Sequence, residues 1–256
     1  KEVSLLKAGD KDSEGNAIMH SFWAPEIHEI DGRLTILFMA GYGNTWSNGK
    51  SVYMQLKQDA DGHDLDPADP DNWTVPTPIY RNDASLLNGN KQLAATASGG
   101  VGMSLDMTYF QDADGRSYYA WQQLGATYIA TMDPKDPAHV TSSPVRIVTP
   151  EYAWNAAIAE GPNVTLRDGK LYLMFSGSGV GKTYTTGLAV ADASGTDLTD
   201  PASWTVLNYP IQKSGPFNGE MQLGTGHGMW SEDEDGNQIY VFHAYATKNL
   251  GSVNAA

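Results

Sequence analysis

SGSGVGKTYTTGLAVAD, residues 176–192, is the stretch on which the class of the whole chain hangs. Its first eight residues come within one glycine of the phosphate-binding loop G-x-x-x-x-G-K-[ST], with Ser176 standing where the first glycine belongs. Such a loop holds phosphate because it opens a helix whose terminal N–H groups face the anion. Here the next nine residues, YTTGLAVAD, alternate like a strand and carry β-branched threonine. A strand–loop–strand setting has no helix terminus to offer. The stretch therefore reads as a glycine-rich connection between two strands.

Outward from it, one pattern occurs four times. DGRLTILFMAG from Asp31, DGRSYYAWQQ from Asp114, DGKLYLMFSGSG from Asp168 and DGNQIYVFHAY from Asp235 each place Asp-Gly before an aromatic, β-rich run. Asp-Gly between two such runs signals a tight hairpin, because glycine supplies the positive φ that the turn needs. APEIHEI, SLDMTYF, GPNVTL and GMWSE supply the strands before the turns. SVYMQLK, ATYIATM and TGLAVAD supply third strands, and DPDNWTVPTPIY, DPAHVTSSPVRIV and DPASWTVLNYPI each read as an Asp-Pro turn leading into a fourth. The Asp-Gly turns lie 83, 54 and 67 residues apart. Four-stranded units at irregular spacing predict an all-β fold, a β-propeller with loops of variable length, with a β-sandwich as the alternative.

Composition agrees. The 256 residues are 41% hydrophobic, and Gly (27), Tyr (13) and Trp (7) are plentiful. The balance of 16 basic against 30 acidic residues gives a net charge of −14, which disfavours nucleic acid and anionic lipid and suits a neutral substrate. No run approaches ~18 apolar residues, so no transmembrane helix is expected. The absence of cysteine excludes disulfides and thiol chemistry, and leaves both an extracellular and a cytoplasmic location compatible. DADGHDLDPADPD, residues 59–71, lacks the order of a calcium-binding loop and reads as an acidic, solvated outer loop.

Eight residues before each Asp-Gly stand Trp23, Asp106, Glu160 and His227. If the units are equivalent blades, these are equivalent points on first strands, which line the centre of a propeller. Acidic residues at strand ends are commonly just solvated, but three ionisable groups in one register point to a shared cavity. Asp106 lies between apolar neighbours, where burial raises a carboxyl pKa. Trp154, in PEYAWN just before Glu160, either rims a pocket or packs a loop.

FWAPEIHEIDG, SLDMTYFQDADG, AEGPNV and GTGHG, in that order, resemble glycoside hydrolase family 43 from about residue 18 to residue 245. The resemblance implies a five-bladed β-propeller, of which about four blades are recognisable. It implies an inverting hydrolase of plant cell-wall arabinosides or xylosides, most simply an exo-acting α-L-arabinofuranosidase, with a β-xylosidase or a non-catalytic carbohydrate-binding propeller as alternatives. Its substrate is an oligo- or polysaccharide, and it requires no cofactor. Glu160 corresponds to the general acid, Asp106 to the carboxylate that orients it and keeps its pKa high, and Trp23 to a wall of the sugar subsite. His227 corresponds to a histidine beside a calcium or other ion, or its waters. The family's general base lies well upstream of the WAPE motif, and none is found here. Asp10 and Asp12 read as solvated loop, and Glu26 is out of register. The chain is thus expected to be one propeller domain over residues 1–256, incomplete at both ends.

Overall fold

A computed structural model describes residues 2–87, 103–217 and 219–245. The ending KNLGSVNAA, expected to lack outer strands, lies outside them. Among the described residues the only helical pieces are three-residue 3₁₀ turns, and all else regular is strand. Strands β1 (Ile18–Ile30), β2 (Arg33–Tyr42), β3 (Lys50–Gln55) and β4 (Thr77–Pro78) form the first sheet in sequence order. In the second, β5 (Tyr80–Arg81), β6 (Leu105–Gln111), β7 (Ser117–Gln123), β8 (Ala126–Asp133) and β9 (Asp136–Val140) stand in the order β5-β9-β8-β7-β6, and β10 (Val145–Val148) pairs with β8. The third runs β11 (Ala159–Arg167), β12 (Lys170–Gly177), β13 (Thr185–Asp192), β14 (Thr205–Val206). The fourth runs β15 (Gly215–Phe217), β16 (Glu220–Glu232), β17 (Gln238–Tyr245). These successive sheets, antiparallel apart from the β5–β9 pair, are four blades of a β-propeller, the fold expected from the repeats. Residues 178–184 connect β12 to β13, strand to strand, as their sequence requires.

One fourth-strand reading is corrected. Asp136–Val140 is not an Asp-Pro turn but strand β9, paired in parallel with β5 (Tyr80↔His139, Arg81↔Val140). Proline is tolerated because the register against β8 slips between Met132↔Val140 and Asp133↔Asp136, where no ladder N–H is needed.

By contacts the chain divides into two compact units. The first comprises Lys1–Thr108, Ser117–Tyr119 and Ala130–Pro144. One of its cores joins Ile18, Phe38, Tyr42, Val52, Met54, Leu56 and Trp73, the inward alternation of β2 and β3. The second comprises Tyr109–Arg116, Ala120–Ile129 and Val145–Ala256, and buries Leu171, Leu173, Phe175, Ala189 and Trp204.

The four hairpins are of two kinds. Asp31-Gly32 and Asp168-Gly169 are two-residue loops closed by Ile30↔Arg33 and Arg167↔Lys170. Both central residues have positive φ, the backbone of a type I′ turn. Asp114-Gly115 and Asp235-Gly236 sit in three-residue loops closed by Asp112 N–H to Arg116 C=O and Asp233 N–H to Asn237 C=O. Only the glycine is left-handed there, and the first aspartate caps the turn: Asp112 Oδ1 accepts from Asp114 N (3.0 Å) and Arg116 N (2.8 Å), and Asp233 Oδ1 from Asp235 N (3.0 Å) and Asn237 N (2.8 Å).

The extra loop residue corrects the register argument. Counted from the residue that closes each loop (Ile30, Asp112, Arg167 and Asp233), six positions back, stand Ala24 (φ 48°), Asp106 (57°), Gly161 (57°) and His227 (45°). All four are left-handed, and in β1, β11 and β16 the pairing register shifts there, as at a β-bulge. Trp23 and Glu160 therefore precede the bulge residue, whereas Asp106 and His227 are the bulge residue.

Asp12 is a second correction. It is not solvated but 4% exposed. D-S-E-G-N forms the same capped turn, with Asp12 Oδ1 accepting from Glu14 N (3.0 Å) and Asn16 N (2.8 Å), and Tyr42 O–H reaches Oδ2 at 2.9 Å. Burial and this carboxylate together hold the Tyr42 phenol well above its ordinary pKa. Nearby, Lys50 donates to Tyr80 Oη (3.2 Å) and lies over the Tyr42 and Tyr80 rings at 5.5 and 5.4 Å. Burial lowers its pKa, with Glu14 and Asp12 pulling the other way. Asp10 accepts a local bond from Lys7 N–H near the surface.

These contacts set two stability expectations. Tyr42→Phe should cost about 1.5–3 kcal/mol in denaturant unfolding, the range for a hydrogen bond to a charged group, while Asp10→Ala stays within about 0.5 kcal/mol. Ala24→Gly should gain about 1 kcal/mol, because glycine adopts the left-handed region without the Cβ clash.

Candidate active site

Glu160 lies at the start of β11 in the second unit and is 8% exposed. Its backbone is pinned by its neighbour: Ala159 N–H donates to Gly125 C=O (2.9 Å), and Thr127 Oγ1 donates to Ala159 C=O (3.1 Å). Tyr184 O–H donates to Glu160 Oε1 at 2.6 Å from a fully buried position. Opposite Glu160 in the ladder stands Ser176, whose Oγ accepts the backbone N–H of His227 at 2.6 Å. The residue that spoiled the phosphate-loop motif thus has a place in this cluster. Gly161 is next in the chain, and a Cβ there would lie 3.3 Å from His227 Nδ1, so the imidazole rests against the missing side chain. Glu160 and His227, both singled out from sequence, are thereby brought into one cluster with Tyr184 and Ser176.

Behind it, the Tyr184 ring stacks on His243, centroids 5.6 Å apart and planes 28° from parallel. Partial desolvation, then His227, lowers the His243 pKa, so its imidazole is neutral near pH 7. Gly226 also lies against the Tyr184 ring, where any Cβ would overlap it. Spacing alone does not find Tyr184 or His243. The glycines of GTGHG are the available signal, since small residues on an inner strand mark where rings approach closely.

Trp154 lies in the 3₁₀ turn Ala153–Asn155. Its ring stacks on Tyr152 (6.2 Å, 6°) and Phe175 (6.0 Å, 28°), and its Nε1–H donates to Asn208 C=O at 3.0 Å. Of the two readings left open, this geometry favours loop packing. In the first unit, Trp23 is 42% exposed and stacks with Trp46 (6.4 Å, 30°). Asp106 is 5% exposed on β6. Glu26 is buried and bonded through Oε2 to His28 Nε2 at 2.8 Å.

Among the described residues the one group of three with metal-ligand spacing is Asp59, Asp61 and His63, exposed in the acidic loop. It does not include His227. No helix among the described residues is long and apolar enough to cross a membrane.

Consecutive blades with bulged strands make the chain a β-propeller, and the buried, tyrosine-bonded Glu160 stands beside the bulge of one of them. The chain belongs to glycosyl hydrolases family 43, which it matches over residues 2–254. It is 29% identical over 239 residues to an extracellular exo-α-(1→5)-L-arabinofuranosidase of Streptomyces avermitilis, covering 89% of this chain and 44% of the relative. It is 28% identical over 242 residues to the enzyme of that name from Streptomyces chartreusis, covering 89% and 64%. The chain therefore spans roughly half the length of these relatives. The crystal structure of an α-L-arabinofuranosidase from Lactobacillus brevis matches with a TM-score of 0.71 at 25% identity, covering 93% of this chain and 73% of that one.

Packing at the cluster makes a clear contrast. Gly226→Ala should destabilise by about 1–3 kcal/mol through forced movement of the Tyr184 ring. Gly179→Ala, where an added Cβ meets nothing within 4 Å, should stay within about 0.5 kcal/mol. Thermal or denaturant unfolding of the two variants checks this.

Proposed function

We propose that this chain is the catalytic propeller of an inverting, exo-acting α-L-arabinofuranosidase. The observation that carries the reading is the buried Glu160 carboxyl, one oxygen bonded to Tyr184, at the bulge of β11 in a family 43 chain. The names of the two Streptomyces relatives support the arabinofuranoside. In the proposed mechanism Glu160 is the general acid. Its proton passes to the glycosidic oxygen as the bond to the anomeric carbon breaks, and water enters from the opposite face, inverting the centre. By the family resemblance Asp106, buried on β6 in the first unit, takes the part of the carboxylate that orients such an acid and keeps its pKa high. The exposed indole of Trp23 offers a flat apolar face to the C–H face of a pentose ring.

The base that activates water is not assigned. Asp12 is engaged by Tyr42, Glu14 and Asn16, and Glu26 by His28, so neither is poised for that role. The ion that the family resemblance puts near His227 would find an imidazole there, but His227 belongs to no group of three histidine or carboxylate ligands among the described residues. Such an ion would be held largely through its water shell.

Glu160→Gln tests the acid. On alkyl or oligosaccharide substrates kcat should fall by ~10²–10⁴-fold, and aryl arabinofuranosides with acidic leaving groups should lose far less. Equal losses on both would remove Glu160 from that role. NMR of the first-formed anomer reads inversion. Faster turnover of aryl xylosides would make the enzyme a xylosidase, and sugar binding without turnover would make it a binding propeller.

A further inference from the structure

The glycine-rich loop 178–183 offers no helix terminus to a phosphate, yet it is more firmly held than a passive connection requires. Ser178 Oγ donates to Thr183 Oγ1 across it at 3.0 Å. Ser214 Oγ donates to Lys182 C=O at 2.6 Å and accepts Gly224 N–H at 2.8 Å, tying the loop to β16. A Cβ on Gly224 would overlap Gly181 C=O, so glycine there is what lets strand and loop meet. Tyr184 N–H then donates to Gly181 C=O at 3.1 Å and ends the loop. The residue delivered by all of this is Tyr184, packed against Gly226 and the His243 ring with its hydroxyl 2.6 Å from Glu160 Oε1.

We propose that Tyr184 is a positioning residue for the general acid, and that the loop 178–183 exists to fix it. The proposal rests on the reading of Glu160 as the acid and deepens it. A phenol that donates to Oε1 directs the acid's proton to Oε2. When that proton moves to the glycosidic oxygen, the electron pair of the O–H bond stays on the carboxylate, and the charge is shared with Oε1, where the Tyr184 O–H already points. The donor costs no reorganisation because its ring is held in place by packing. It strengthens the acid, since a hydrogen bond to the charged form lowers a carboxyl pKa.

Turnover needs protonated Glu160, so activity falls as pH rises through its pKa. Tyr184→Phe keeps the ring and deletes the donor. In the intact protein the basic limb of kcat/KM should move up by about one pH unit. kcat on substrates with poor leaving groups should fall roughly ten-fold, with KM and activity on activated aryl arabinofuranosides little changed. Replacing Tyr184 by 3-fluorotyrosine, a more acidic donor of nearly the same shape, should move the limb the other way. Opposite shifts from two variants that keep the ring cannot come from loosened packing. An unmoved limb in both variants, or equal losses on good and poor leaving groups, overturns the proposal. Glu160→Gln in the same assay separates the failures. If it retains turnover of poor leaving groups, the acid assignment falls and the positioning role with it. If it abolishes that turnover while the Tyr184 variants keep the wild-type limb, only the positioning role falls.

Discussion

A left-handed residue interrupts the first strand of each blade six positions before its hairpin. An L-residue resists that conformation by about 1–2 kcal/mol, so its recurrence at one distance, three times on an L-residue and once on glycine, is a constraint of the architecture. The bulge adds a residue to one side of the ladder and re-aims the chain beside it. Gly161 meets the demand without a Cβ clash and Ala24 against one, and Trp23 and Glu160 stand immediately before them. In the other two blades Asp106 and His227 occupy the strained position itself, and aspartate and histidine are among the residues that tolerate it best. Trp23, Asp106, Glu160 and His227 thus all stand at or beside this left-handed position.

The strands themselves are legible because their signals are local. Asp-Gly between apolar runs marks a hairpin whatever the tertiary setting, and YTTGLAVAD cannot continue as a helix after SGSGVGKT. The error of one register comes from equating all four Asp-Gly pairs. An aspartate two residues before the second member of the loop, as at Asp112 and Asp233, lengthens the loop by one, and that signal is present in the sequence. Asp12 misleads for a related reason. Its Gly/Ser/Lys surroundings look solvated, but the contact that buries it comes from Tyr42, thirty residues away.

The candidate site is legible in part. Glu160 and His227 emerge from motif and spacing, and they meet across Gly161. Tyr184 does not, because nothing near it in sequence distinguishes a phenol that packs from one that bonds a carboxyl group. Ser176 reads only as a motif's missing glycine, whereas in the fold its hydroxyl faces the backbone of His227. Contacts between strands far apart in the chain leave their trace mainly in the small residues that permit them, such as Gly226.

The capped turn D-x-[DE]-G-x recurs at Asp12, Asp59, Asp112 and Asp233. Each copy places at least two acidic residues at a loop and employs one as a hydrogen-bond acceptor. Much of the charge of −14 is therefore a by-product of how the chain reverses direction. Hydrogen bonds from the residues just after them hold Asp59 and Asp233 below the ordinary carboxylate range. The composition puts the isoelectric point near pH 4.6, above the range in which these two aspartates lose their charge. Mutual repulsion between molecules is therefore weakest in mild acid, while the turns at Asp59 and Asp233 still hold their bonds.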